Sequence, residues 1–172
     1  MVYNSCFDII GPIMVGPSSS HTAGVVSIGK FVYDFLRGEP EAVQIIFYDS
    51  FSETYKGHGT DKAVIGGLLG METDDKRIRD AIEIAAERSV AFAFVCEGEC
   101  PYFDHPNTVL ITARKENESV VIGGVSLGGG ISKIFHINGC AVDIPLNADY
   151  DLTEIRVLYE EKPRCAAYVG GA

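Results

Sequence analysis

Residues 108–145 read TVLITARKENESVVIGGVSLGGGISKIFHINGCAVDIP, and their texture decides the fold class. β-branched residues dominate, and the run is punctuated at KENES (115–119), LGGG (127–130) and NG (138–139). Asn-Gly between alternating apolar residues is a strong hairpin signal, because both central positions of the turn need positive φ. The stretch predicts three consecutive strands. Turns this short can join only antiparallel neighbours.

The pattern changes toward the N-terminus. VAFAFVCEG (90–98) reads as a short strand or an extended connector, and AVQIIFYDSFSETY (42–55) as a strand. Val25, Ile28, Gly29, Val32 and Leu36 recur at helical spacing and predict a helix from Ser20 to Arg37, closed by Gly38 and Pro40. GTDKAVIGGLLGM (59–71) predicts a second helix. Ile78, Ala81, Ile82, Ala85 and Ser89 predict a third, with Asp74 and Asp75 favouring its start. LTEIRVLYE (152–160) is expected to add one more strand. Helix, strand, helices and then a run of strands give an α+β fold with a mixed, mostly antiparallel sheet, not a doubly wound parallel one.

The bulk numbers narrow the function classes. A chain of 172 residues, 47% hydrophobic, has the length and apolar content for one domain with its own core. The net charge of −10 disfavours nucleic acid and anionic membrane surfaces as partners. No apolar run approaches the ~20 residues of a membrane helix, and the opening MVYNSCFDII has no signal-peptide pattern. Five cysteines, Cys6, Cys96, Cys100, Cys140 and Cys165, fit reduced, unligated thiols in a cytoplasmic protein. Cys96 and Cys100 form a C-x3-C pair with no second pair to complete a tetrahedral metal site.

Four polar segments carry the chemistry. GPSSSHTAG (16–24) stands where the first helix begins. One of Ser18, Ser19 or Ser20 suffices as a helix cap, which leaves the others, with His21 and Thr22, free to form a polar cup. Backbone N–H groups at a helix start favour a carboxylate there. YKGHGTDKA (55–63) repeats the design with His58 between two glycines, and Thr60 or Asp61 is expected to cap the second helix. DHPNT (104–108) offers His105 and Asn107, and SLGGG (126–130) permits close backbone approach. The alternative for each is a solvated turn. His136, in the apolar run KIFHING, reads as a packed histidine.

These four segments, in this order, resemble the β-domain of the iron–sulfur L-serine dehydratases, also called L-serine deaminases or ammonia-lyases. The resemblance runs from Asp8 to Asp143. Its signatures are GPSSSHTAG, the pattern S-x-S-x-T-x-K-G-H-x-T-D from Ser50 to Asp61, H-x-N at His105 and Asn107, and S-x-G-G-G from Ser126 to Gly130. It implies an α-β-α-β-β-β core, similar to the allosteric substrate-binding domain of some 3-phosphoglycerate dehydrogenases. It implies a lyase of amino-acid catabolism, feeding gluconeogenesis, that turns L-serine into pyruvate and ammonia. The cofactor would be a [4Fe-4S] cluster, held by cysteines of an α partner, with no metal ligand in this chain and no pyridoxal phosphate. The cluster iron would bind serine and help expel its hydroxyl.

Under that resemblance His21 and His58 are the candidate catalytic groups, since imidazole titrates near neutrality. Ser18, Ser19, Ser20, Thr22, Lys56, Thr60, Asp61, His105 and Asn107 are the candidate substrate-binding residues. Residues 1–150 would be the β-domain, and 151–172 an extension leading toward an ACT domain. The chain would be inactive alone, would work with the α subunit on L-serine, and leaves room for a homodimer. The rival readings are a non-catalytic serine-binding regulatory domain and a purely structural α+β module.

Overall fold

The computed structural model describes residues 13–160. The readings made on the opening residues, Cys6, Cys165 and the C-terminal tail lie outside that range. Six strands form one open sheet: β1 (Ala42–Tyr48), β2 (Ala91–Glu97), β3 (Thr108–Lys115), β4 (Glu118–Gly128), β5 (Ile131–Ile137) and β6 (Cys140–Pro145). Their order is β2-β1-β3-β4-β5-β6. β1 and β2 pair in parallel, and every other neighbouring pair is antiparallel. The fold is therefore α+β with a mixed sheet.

The run 108–145 holds four strands rather than three, because each of its three turns separates a strand pair. The α-β-α-β-β-β expectation accordingly undercounts the strands. β2 is a true strand: its parallel register with β1 runs from Ala42 opposite Ala91 to Tyr48 opposite Glu97.

Five α-helices accompany the sheet among the described residues: α1 (Gly24–Phe35), α2 (Asp49–His58), α3 (Thr60–Leu68), α4 (Ala81–Glu87) and α5 (Leu152–Glu160). A π-helical turn, Ser19–Ala23, leads into α1, and a 3₁₀ turn, Lys76–Asp80, leads into α4.

Two strand expectations fail for one reason. The expected strand 42–55 stops at Tyr48, and α2 begins at Asp49. Phe51 and Tyr55 stand one helical turn apart, and both pack on Phe47, at 6.1 and 5.4 Å between ring centroids. Residues 152–160 are helical, not a strand. Leu152, Ile155 and Tyr159 recur at helical spacing against the core, and Asp151 caps the start by accepting from the amides of Thr153 and Glu154.

The core lies between one sheet face and the helices. Val43, Ile45 and Phe47 of β1 face the same way as Ala113, Ile111 and Val109 of β3, and all are buried. Period-2 alternation sends Gln44 and Arg114 to the other, exposed side. α1 crosses α3 with backbone nearly touching backbone. A β-carbon on Gly29 would stand 2.5 Å from the Val64 carbonyl, and one on Gly67 2.3 Å from that of Val26. This close crossing fixes where the start of α1 sits relative to the start of α3, and both starts carry polar signatures.

Candidate functional site

The chain enters the site at Pro17. Ser18 is extended (φ −136°, ψ 124°), and its Oγ accepts from the His21 amide at 3.2 Å, which caps the π turn. Thr22, buried at 2% exposure, ties the same turn shut: its Oγ1 donates to the Ser18 carbonyl and accepts from the Ser18 amide. Thr22 is thus spent on the loop, whereas Ser19 and Ser20 are only half-buried. Gly24 follows because a β-carbon there would lie 2.3 Å from the Ser126 Oγ. The SLGGG segment therefore packs directly on the first turn of α1.

The His21 ring is held on several sides. Its Nδ1 lies 3.3 Å from Ser18 Oγ and its Nε2 3.4 Å from Ser50 Oγ. Phe51 meets it edge-on at 5.1 Å between centroids. The His58 ring stands 4.6 Å away, tilted by 54°. Burial, and then the neighbouring His58, hold the His21 imidazole below its ordinary pKa, so the neutral form is favoured.

His58 reaches this position as the last residue of α2. Gly59, in the left-handed conformation (φ 70°), ends α2 and starts α3 without a loop between them. The expected caps at Thr60 and Asp61 are not made; no side chain caps α3. Asp61 Oδ1 instead accepts from the Lys62 amide at 2.8 Å. Thr60 is fully buried, and its Oγ1 and the Nδ1 of His58 are both enclosed without a hydrogen-bond partner. An unpaired buried polar atom costs about 1–3 kcal/mol, so two of them flanking Gly59 mark a place where a polar partner is expected. Lys56 is exposed and holds its ammonium over the Tyr55 ring at 5.7 Å.

His105 and Asn107 form a neighbouring feature. The Asn107 amide donates to His105 Nδ1 at 3.1 Å, and the Asn107 carbonyl accepts from the Ser126 amide at 3.0 Å. Burial, opposed by Asp104, also holds His105 below its ordinary pKa. A cavity of about 340 Å³ opens here, lined by Asp49, Glu99, Cys100, Asp104 and His105 among others. Its wall residue Asp49 directly precedes Ser50 in the chain.

The structure thus brings Ser18, His21 and His58 together and links Asn107 to α1 through Ser126. Ser50 and Ser126 open two of the signatures but are not among the candidate site residues, and Phe51 is not singled out. Reading residues 49–55 as strand hid the contacts that Ser50 and Phe51 make with His21.

Cys96 and Cys100 are free thiols, but Cys140 is disulfide-bonded, which corrects the reading of five unligated thiols. Among the described residues, no three His, Cys, Asp or Glu side chains converge as metal ligands, and no helix is long and apolar enough to cross a membrane.

The family model described as "Serine dehydratase beta chain" matches residues 5–133. A Bacillus subtilis (strain 168) protein named "Probable L-serine dehydratase, beta chain" is 50% identical over 139 residues, covering 81% of this chain and 62% of that relative. The "L-serine dehydratase, beta chain" of Peptoniphilus asaccharolyticus is 40% identical over 167 residues, covering 96% of this chain and 72% of the relative. The Escherichia coli (strain K12) "L-serine dehydratase 1" is 45% identical over 73 residues, covering 40% of this chain and 16% of that longer protein. The match thus spans less than two thirds of the Bacillus protein's length and a small share of the Escherichia one. With three quarters of its residues inside the family match and beta-chain relatives at this identity, the chain belongs to the serine dehydratase beta chain family.

Proposed function

We propose that this chain is the β component of a cytoplasmic iron–sulfur L-serine dehydratase, converting L-serine to pyruvate and ammonia together with an α subunit. The observation that carries the reading is the packing of His21 against His58 at 4.6 Å, beside unpaired buried polar atoms on His58 and Thr60.

The described residues do not suit a [4Fe-4S] cluster. Among the described residues Cys96 and Cys100 are free thiols, and no donor set converges around them. The reading therefore assigns the cluster to the α subunit and confines this chain to binding, orientation and proton handling. Forming aminoacrylate from serine needs a base for the Cα proton, and the product then gives pyruvate and ammonia in water. A neutral imidazole is the suitable acceptor near pH 7. Burial and the His58 neighbour keep His21 in that form. The His58 ring beside it opposes a positive charge on His21. Ser19 and Ser20, half-buried beside the turn, provide hydroxyls for the substrate carboxylate, and holding the acid in place lowers the entropic cost of reaction.

The test is reconstitution. The chain is co-purified with its α subunit, loaded with iron and sulfide without oxygen, and assayed for pyruvate from L-serine. Activity that requires both chains supports the reading. Serine binding by this chain with turnover independent of both histidines would make it a regulatory domain instead.

A further inference from the structure

We propose that Ser50 is a positioning residue for His21, fixing the imidazole and its Nε2–H tautomer from the first turn of α2. The proposal rests on the functional reading above only for its consequence in catalysis; the tautomer itself belongs to the chain.

The argument is an accounting of donors. Ser18 Oγ accepts the His21 amide at 3.2 Å and lies 3.3 Å from His21 Nδ1. A serine hydroxyl has one proton to give. With one lone pair serving the amide, the arrangement that also uses the hydroxyl's proton has it donate to Nδ1. Neutral imidazole carries one N–H, which then sits on Nε2, and the basic Nδ1 takes up a proton through the Ser18 hydroxyl, which gives its own proton to the ring as it receives another. The group within reach of Nε2 is Ser50 Oγ at 3.4 Å. Ser50 accepts there and keeps its own proton free to donate elsewhere.

The remaining neighbours of the ring cannot do this work. Phe51 packs edge-on and offers no acceptor. His58 meets the ring at a 54° tilt and is the ionisable group that acts on its charge. Without Ser50, the ring would be tied through Nδ1 alone and free to turn on its Cβ–Cγ bond toward His58. The helix itself does not need the hydroxyl: alanine is the better helix former at this half-buried position of the first turn. Ser50→Ala should therefore fold.

The experiment has two arms. In the first, long-range ¹H–¹⁵N spectra of the ¹⁵N-labelled chain, recorded at a pH where His21 is neutral, report its tautomer. The expected result is the Nε2–H form in the wild type, a mixture of tautomers in Ser50→Ala, and recovery of the single form in Ser50→Thr. A wild-type Nδ1–H form, or an unchanged His21 in Ser50→Ala, overturns the proposal. In the second arm the same variants are assayed with the α subunit at matched iron content. Ser50→Ala should lower kcat about tenfold with little change in KM, the loss expected for one neutral hydrogen bond, and Ser50→Thr should restore most of it. A change confined to KM would make Ser50 a substrate contact and overturn the positioning role. An inactive wild-type complex would count against the functional reading, while the spectra would still decide the role of Ser50.

Discussion

The ring centroids of His21 and His58 lie 4.6 Å apart, although one residue opens the first helix and the other closes the second. The contact follows from the crossing of α1 and α3, which glycines hold at backbone distance, and from Gly59, which joins α2 to α3 without a spacer. In these partly buried surroundings the neighbouring His58 makes His21 harder to protonate.

Acid should destabilise the chain through its histidines. Burial is the first cause that holds His21, His105 and His136 below the ordinary imidazole value of 6.5. The unfolded chain takes up these protons at that ordinary value, so the folded form binds fewer of them below it. Stability is therefore full above about pH 6.5 and falls as pH drops through the folded pKa values. Urea denaturation at pH 7.5 and pH 5.5 should show a lower midpoint at the acid pH. NMR titration of His58→Gln should move the His21 pKa upward. A His21 that already titrates at the free value, unmoved by His58→Gln, would contradict the effect of His58 on it.

Gly24 should be intolerant of a side chain, for a reason that can be removed. The β-carbon of Gly24→Ala would stand 2.3 Å from Ser126 Oγ and 2.9 Å from Ser126 Cβ. Overpacking of this kind costs about 1–3 kcal/mol. Ser126→Ala would leave the clashing β-carbon, whereas Ser126→Gly removes it. Denaturation of the single and double variants should show Gly24→Ala destabilised and Gly24→Ala with Ser126→Gly partly restored. Additive losses would place the cost of Gly24→Ala elsewhere.

Most of the sheet was legible in the sequence, and the reasons are local. β3 to β6 are separated by Gly- and Asn-containing turns whose chemistry specifies them. Phe47, Phe51 and Tyr55 share a single cluster by helical spacing, but aromatic and β-branched composition outweighed that spacing and made 49–55 read as strand. Residues 152–160 misled in the same way. At the site, the glycines and hydroxyls around His21 and His58 exposed both residues as candidates. Their contact depends on helix crossing, which is a tertiary fact. Ser50 was hidden because its role requires α2 to be a helix.

Ser18 and His21 should fail differently in the assembled enzyme. Ser18 caps the π turn and touches His21, so Ser18→Ala removes hydrogen bonds worth roughly 1 kcal/mol, or up to ~3 with a charged partner. The expected change is about tenfold to a hundredfold. His21→Ala also removes a proton acceptor, worth roughly a hundredfold to ten-thousandfold in turnover. Steady-state kinetics at equal iron content separates the two. If His21→Ala raises KM alone, His21 anchors substrate and His58 becomes the proton acceptor.

The most direct measurement is the rate of pyruvate formation from L-serine by the purified complex of this chain with its α subunit, comparing wild type with His21→Asn and His58→Asn. Asparagine keeps a polar side chain of similar reach but cannot take up a proton near neutrality. With iron content and assembly matched, at least one of the two variants should lose a hundredfold or more in kcat. Wild-type turnover in both would show that the histidine pair does no proton transfer, and would leave this chain a binding or structural part of the enzyme.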